Sequence, residues 1–378
     1  MKILTWSYAF WPGGGGMERI VGQITTGLAA RGHELLVITQ PVDRAIVMSR
    51  VPTAVASSDP SWSTFGGVPV HRFPMHDAIE RHDHQALERM KEEIKSLRKD
   101  FGADVVHHAF FSGDAILEMQ TEEGAPRITA NHQSGYSAMP AVTPVFRMLL
   151  TRSNTVVAVS QSVRRETLGL APESAGKVQV IENGVVETPD PGRGAGGAPT
   201  ILASGRFVEE KGFHTLLVAF ALLLERQPHA RLVLAGDGHS RVGLEHLAAR
   251  LGVTERVTFT GWVGEQQMND LIASSDIVAV PSIWAEPFGL TALEASERGR
   301  PVVVSAVGGL MEVVVDGVTG LHAHAGDPYS WASAFDQLIK NPDRAWAMGA
   351  AGRQRAHREF SLKMCIDKYE AAFMEASK

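Results

Sequence analysis

The sequence predicts an α/β protein built from two doubly wound domains. Three observations carry that expectation. The chain has 378 residues, long for one hydrophobic core and suited to two. Short apolar runs alternate with amphipathic stretches along nearly the whole length, the pattern of parallel strands buried under helices. Residues 189–199, a Pro- and Gly-rich segment, hold nothing that could pack a core, and the alternation restarts after them.

In the first half, strands are expected around residues 3–6, 33–39, 68–73, 104–107, 127–131, 155–159 and 177–181. A glycine loop after the first strand leads into a helix from about Met17 to Arg31. Residues 87–99 read as a charged helix with Leu87, Met90, Ile94 and Leu97 on one face. In the second half, strands are expected around residues 200–204, 230–235, 256–260, 276–280 and 301–305, with helices between. In such sheets ligands bind beyond the carboxyl ends of the strands.

Composition narrows the class. The net charge of −6 gives no basic surplus for a nucleic-acid partner. Cys365 is the sole cysteine, so no internal disulfide can form, which suits a reducing cytoplasm. No run of about 20 apolar residues could span a bilayer, and the first apolar run is too short for a signal peptide. A cytoplasmic protein is expected, and any membrane contact would be peripheral, at the inner face. Residues 141–150, apolar with Arg147 and Arg152 adjoining, suit a membrane-surface helix and a buried one equally.

The most informative segment runs from Pro281 to Glu294. A buried strand ends near Pro281, Pro287 and Gly289 shape a turn, and a helix begins near Leu290. The start of that helix offers unpaired amides and a positive dipole end, a site for a diphosphate. Glu294, one turn in, can accept hydrogen bonds from ribose hydroxyls, and Glu286 at the loop tip from a sugar. A plain helix with a glutamate in its first turn is the bland alternative.

A second constellation, Gly205 to Gly212, follows a strand and carries Arg206 and Lys211. Two cations there can neutralise a leaving diphosphate, Arg as a planar fork and Lys as a point charge. The intervening Glu209 and Glu210 equally suit a solvated charged loop. The third is the run Gly13 to Gly16, where glycines allow close backbone approach to a ligand. It is no dinucleotide fingerprint: Arg19 stands where the third glycine belongs, and Gln40 rather than an acid follows the second strand.

Together these pieces resemble glycosyltransferase family 4, a family of retaining GT-B enzymes. The resemblance covers most of the chain. It rests on Gly15-Gly16-Met17-Glu18, Arg31-Gly32-His33-Glu34, Ala158-Val159-Ser160 and Glu182-Asn183-Gly184-Val185. It continues through Gly205-Arg206 with Lys211-Gly212, Gly236-Asp237-Gly238, the pair Glu286 and Glu294, Gly308-Gly309 with Glu312, and Asp316 to Gly320. It implies a GT-B fold: two doubly wound Rossmann-like domains facing across a deep cleft. The expected bounds are 1–188 for an acceptor-binding domain, 189–199 for a linker, 200–360 for a donor-binding domain, and 361–378 for a helix returning to the first domain after a kink at Phe360-Ser361.

The resemblance also implies roles. Arg206 and Lys211 would hold the donor diphosphate, Glu294 the ribose and Glu286 the sugar hydroxyls. Backbone amides of Phe288, Gly289, Leu290 and Thr291 would reach sugar or phosphate, and Gly15 and Gly16 the diphosphate or acceptor. His132 would lie near the transferred sugar. No cofactor and no metal are expected, the nucleotide sugar being a substrate of UDP or GDP type. The acceptor would be a hydroxyl on a small molecule, a natural product or a lipid-linked glycan. A nucleotide-sugar epimerase, a phosphorylase or a silent sugar-nucleotide binder are the alternatives. His71, His76, His82 and His84 have no zinc-site spacing, and His107-His108 are expected to be structural.

Overall fold

The computed structural model describes residues 1–11, 15–41, 62–110, 117, 120, 124, 126–131, 143–193 and 197–378. The chain divides into two compact units, Met1–Gly184 with Leu362–Lys378, and Val185–Ser361.

The first unit is built on eight strands: β1 (Lys2–Ser7), β2 (Glu34–Thr39), β3 (Trp62–Phe65), β4 (Val68–Arg72), β5 (Val105–Phe110), β6 (Arg127–Asn131), β7 (Thr155–Ala158) and β8 (Val178–Val180). Their order is β3-β4-β2-β1-β5-β6-β7-β8, parallel except for the β3–β4 hairpin. Successive residues face opposite sides of this sheet. Ile3, Val37 and Val105 pack with the helices Gly16–Ala30 and Leu362–Ala376, while Leu4, Leu36, Ile38 and Val106 pack with Met90 and Ile94 of the helix His84–Phe101. Both faces are therefore covered, as the continuous apolar strands require.

β3 is not among the expected strands. It is a four-residue edge strand joined to β4 by Gly66-Gly67, with φ of 55° and 82°. That is the two-residue hairpin turn that matches strand twist. β5 runs on to Phe110, past His107. His107 is buried against the rings of Tyr369 and Phe373, a packing role. In the helix Thr143–Arg152, Phe146, Leu149 and Leu150 are fully buried, so its apolar face belongs to the core.

The last helix is part of the first unit. Arg31 pairs with Asp367 and Glu370, His33 Nε2 lies 2.8 Å from Glu370 Oε1, and Lys368 Nζ lies 2.6 Å from Glu182. The preceding helix, Pro342–Glu359, ends at Phe360, and Ser361 forms a β-bridge with Val185.

The unit boundary falls at Gly184/Val185, ahead of the Pro- and Gly-rich segment. Thr188 N–H donates to Glu297 at 2.7 Å, Arg300 donates to the Gly192 carbonyl at 2.7 Å, and Arg193 pairs with Asp343 at 2.9 Å. Much of the approach to residue 193 is thus held by the second unit's own charged groups.

The second unit contains β9 (Thr200–Ser204), β10 (Arg231–Ala235), β11 (Val257–Gly261), β12 (Ile277–Val280), β13 (Val302–Ser305) and β14 (Gly320–Ala323). They form one parallel sheet in the order β11-β10-β9-β12-β13-β14. β14 is unexpected from sequence. It has four residues and opens on Gly320, where a Cβ would stand 2.2 Å from the Val302 carbonyl oxygen of β13. Among the described residues no helix is long and apolar enough to cross a membrane.

Candidate functional site

In the second sheet the chain winds outward from β9 to β11, then returns to place β12 on the other side of β9. The crevice between β9 and β12 is the topological switch point, where open α/β sheets bind ligands. The two loops leaving these strands are residues 205–212 and 281–289, the segments that carry the charged candidates.

Backbone contact fuses these loops. Ile283 N–H donates to the Glu210 carbonyl at 2.9 Å. A Cβ on Gly212 would stand 2.0 Å from the Pro281 carbonyl oxygen, so only a residue without one allows this approach. The loop after β10 joins them, with Phe207 N–H donating to the Asp237 carbonyl at 2.8 Å. Asp237 is held below the usual carboxylate range by the Gly238 N–H and Arg241. The loop after β13 closes the group: Gly309 N–H donates to the Glu286 carbonyl at 2.7 Å.

The side chains meet as follows. Lys211 Nζ contacts both oxygens of Glu286, at 2.9 Å to Oε1 and 2.8 Å to Oε2. Ser282 Oγ donates to Oε2 at 2.7 Å, and Trp284 Nε1 donates to it at 3.2 Å. Arg206 is exposed and has no ion pair among the described residues. Gly289 caps the helix Leu290–Glu297, and the first bond of that helix runs from Leu293 N–H to the Gly289 carbonyl. The amides of Leu290, Thr291 and Ala292 precede it, giving the helix a positive, donor-rich start. Phe288 is buried edge-on against Phe360, which fixes the residue before this start. Glu294 is half-buried on the same helix.

The structure thus gathers Arg206, Lys211, Glu286, Phe288, Gly289, Leu290, Thr291 and Glu294 on the loops and helix around one switch point. Gly15 and Gly16 belong to the first unit, where Gly15 caps the helix Gly16–Ala30 behind β1. His132 lies outside the described residues. Sequence reasoning overlooked Ser282 and Trp284, whose roles appear only when the loop folds back on Glu286. It also overlooked Arg72, at the end of β4, whose Nη2 donates to the Trp11 carbonyl at 3.1 Å beside the first glycine loop. Burial lowers that guanidinium to about 10, leaving it charged at neutral pH. Among the described residues no group of three or more His, Cys, Asp or Glu side chains is placed to hold a metal ion.

Comparison with known proteins bears on the family and the fold. Residues 14–188 match the family model Glycosyltransferase Family 4, and residues 189–355 match the model Glycosyl transferases group 1. An uncharacterised glycosyltransferase of Methanocaldococcus jannaschii is 31% identical over 375 residues, covering 90% of each chain. The glycogen synthase of Mycobacterium tuberculosis is 29% identical over all of this chain and 95% of its own. Among solved structures, sucrose-phosphate synthase from Thermosynechococcus elongatus superposes with a TM-score of 0.83 at 22% identity, covering 99% of this chain and 98% of that one. Anabaena HepE in complex with UDP and glucose gives 0.78 at 21% identity, covering 99% and 100%.

Two doubly wound units with the charged loops at a switch point define a GT-B sugar-transferring enzyme. The chain belongs to glycosyltransferase family 4.

Proposed function

We propose that this glycosyltransferase takes its sugar from a nucleoside-diphosphate donor of UDP or GDP type, passes it to a hydroxyl acceptor with retention of anomeric configuration, and needs no divalent metal. One observation carries the reading. The loop leaving β9 carries the cations Arg206 and Lys211, the loop leaving β12 leads into the start of the helix Leu290–Glu297, both lie at the β9/β12 switch point, and Lys211 is paired with Glu286.

A bound donor would extend across these groups. Glu294 would accept from the ribose, the helix amides and the two cations would take the diphosphate, and Glu286 would accept from the sugar. As the bond from the anomeric carbon to the diphosphate oxygen breaks, negative charge grows on the diphosphate. Preorganised cations and amides act most on that developing charge. The acceptor oxygen bonds to the anomeric carbon on the same face, and its proton passes to the departing diphosphate. His132 would shape that site. Neither Glu286 nor Glu294 would serve as the nucleophile of a double displacement, since each has another task. The chain contains no Asp-x-Asp pair to hold a metal against the donor. The lone cysteine suits cytoplasmic work.

Relatives support the donor type. A mannosyltransferase of Mycolicibacterium smegmatis, 32% identical over 62% of this chain, is described as GDP-mannose-dependent, and HepE was solved with UDP and glucose.

A panel of UDP-glucose, UDP-galactose, UDP-N-acetylglucosamine, ADP-glucose and GDP-mannose, incubated in chelator and read by mass spectrometry, tests the proposal. Transfer or slow hydrolysis of a UDP or GDP donor is expected. An epimerised donor, binding without turnover, or activity restored only by magnesium or manganese would contradict it.

A further inference from the structure

The four contacts on Glu286 are unevenly placed. Oε2 accepts from Ser282 Oγ, Trp284 Nε1 and Lys211 Nζ, whereas Oε1 has Lys211 Nζ as its partner among the described residues. An ionised carboxylate offers about four lone-pair sites. Oε2 thus carries one contact more than its two lone pairs, whereas Oε1 has Lys211 on one side and must share itself between that ammonium and any sugar hydroxyl that approaches. Lys211 spends two of its three donors on Glu286, so turning those two to a diphosphate loosens the same pair. The pair is half-sheltered, with side-chain exposures of 25% for Lys211 and 13% for Glu286.

Ser282 and Trp284 are differently placed. Ser282 is fully buried on the segment that leaves β12. The Trp284 ring lies below Lys211, with Nζ 5.7 Å from its centroid, while its N–H holds Oε2. If Lys211 moves, these two donors still grip Oε2, and Oε1 is left with both lone pairs.

We propose that the Lys211 ammonium is contested between Glu286 and the donor diphosphate, so that nucleotide binding uncovers Glu286 Oε1 as the atom that reads a hydroxyl of the donor sugar, with Ser282 and Trp284 as the positioning residues that aim it. This deepens the donor-site reading and rests on it. Diphosphate capture and sugar recognition become one exchange: Lys211 trades one anionic partner for another, and the vacated oxygen takes a hydroxyl proton in its place. A sugar without a hydroxyl at that point would leave Oε1 uncompensated, which discriminates by the cost of an unmet buried acceptor.

The test is a double-mutant cycle read by calorimetry, with UDP and GDP alone as probes, on the wild type, Glu286→Gln, Lys211→Met and the double variant. Glu286→Gln removes the competitor, so the nucleotide should bind about two- to fivefold more tightly, the size of a partly exposed ion pair. In the Lys211→Met background the same change should have no effect. Equal tightening in both backgrounds would mean simple charge repulsion and overturn the exchange, and so would unchanged or weaker binding in Glu286→Gln. If Glu286→Gln proves unfolded by circular dichroism, Glu286→Asp, which withdraws the carboxylate but keeps its charge, should tighten binding in the same direction. Failure of the wild type to bind either nucleotide would instead overturn the donor-site reading, and the exchange with it.

Discussion

Gly309 N–H donates to the carbonyl oxygen of Glu286 at 2.7 Å, so the turn after β13 carries the loop that presents the site's carboxylate. A Cβ on Gly309 would stand 2.5 Å from the Pro287 carbonyl oxygen and 2.6 Å from Phe288 Cα. These are backbone atoms, which cannot move aside as a flexible side chain can. Gly309→Ala should therefore cost about 1–3 kcal/mol of stability, as overpacking does. It should also lower turnover by displacing Glu286. Thermal unfolding and steady-state kinetics check both; a fully stable and active variant would refute the coupling.

Arg206→Met should leave stability nearly unchanged, since its side chain is exposed, yet reduce kcat on the order of a hundredfold. An effect confined to KM would show that Arg206 binds the ground state only.

Glu294→Ala should weaken nucleotide binding by about 1.5–3 kcal/mol, through loss of a charged acceptor for the ribose hydroxyls. Calorimetry on the folded variant decides it. Equal affinity would remove Glu294 from the ribose.

Much of this site is legible in the sequence, because its charged residues lie in two short segments after predictable strands. Pro281 to Glu294 announces its strand, turn and helix start in order. The support around it is less visible. Ser282 and Trp284 donate to Glu286 across a loop that folds back on itself, and hydrogen-bond direction leaves no periodic trace. Gly308-Gly309 can be noticed as a motif, but its contact with Glu286 spans separate strands. In the fold, β3 is signalled only by Gly66-Gly67, whereas β14 opens on a glycine and is too short to show alternation. The domain boundary follows pairing onto Glu297 and Arg300, which composition does not reveal.

The clasp of the last helix should respond to acid. Hydrogen bonds from His33 and Arg31, with the charges of the same two groups, hold the Glu370 carboxyl below its usual range, and Lys363 and Arg31 do the same for Asp367. Depressed carboxyls stabilise the fold above their unfolded values, about 4.3 for Glu and 3.9 for Asp, and that contribution is lost as pH falls through the lower folded values. Wild type should therefore lose its advantage over Glu370→Gln below about pH 4. A stability difference independent of pH would contradict this.

Cys365 sits buried on that helix, and burial pushes its thiol up to about 12. It should resist Ellman's reagent at pH 8 while the protein is folded and react once denaturant is added, because the thiolate is the reactive form. Rapid modification of the native protein would mean that the helix detaches readily.

The proposed transfer keeps attack and departure on one face of the anomeric carbon, at a site where Arg206 and Lys211 would hold the leaving diphosphate. NMR of the purified product tests it most directly, through the one-bond carbon–proton coupling at the newly linked anomeric centre. An α-linked donor should give an α-linked product. A β-linked product would contradict the mechanism at its core.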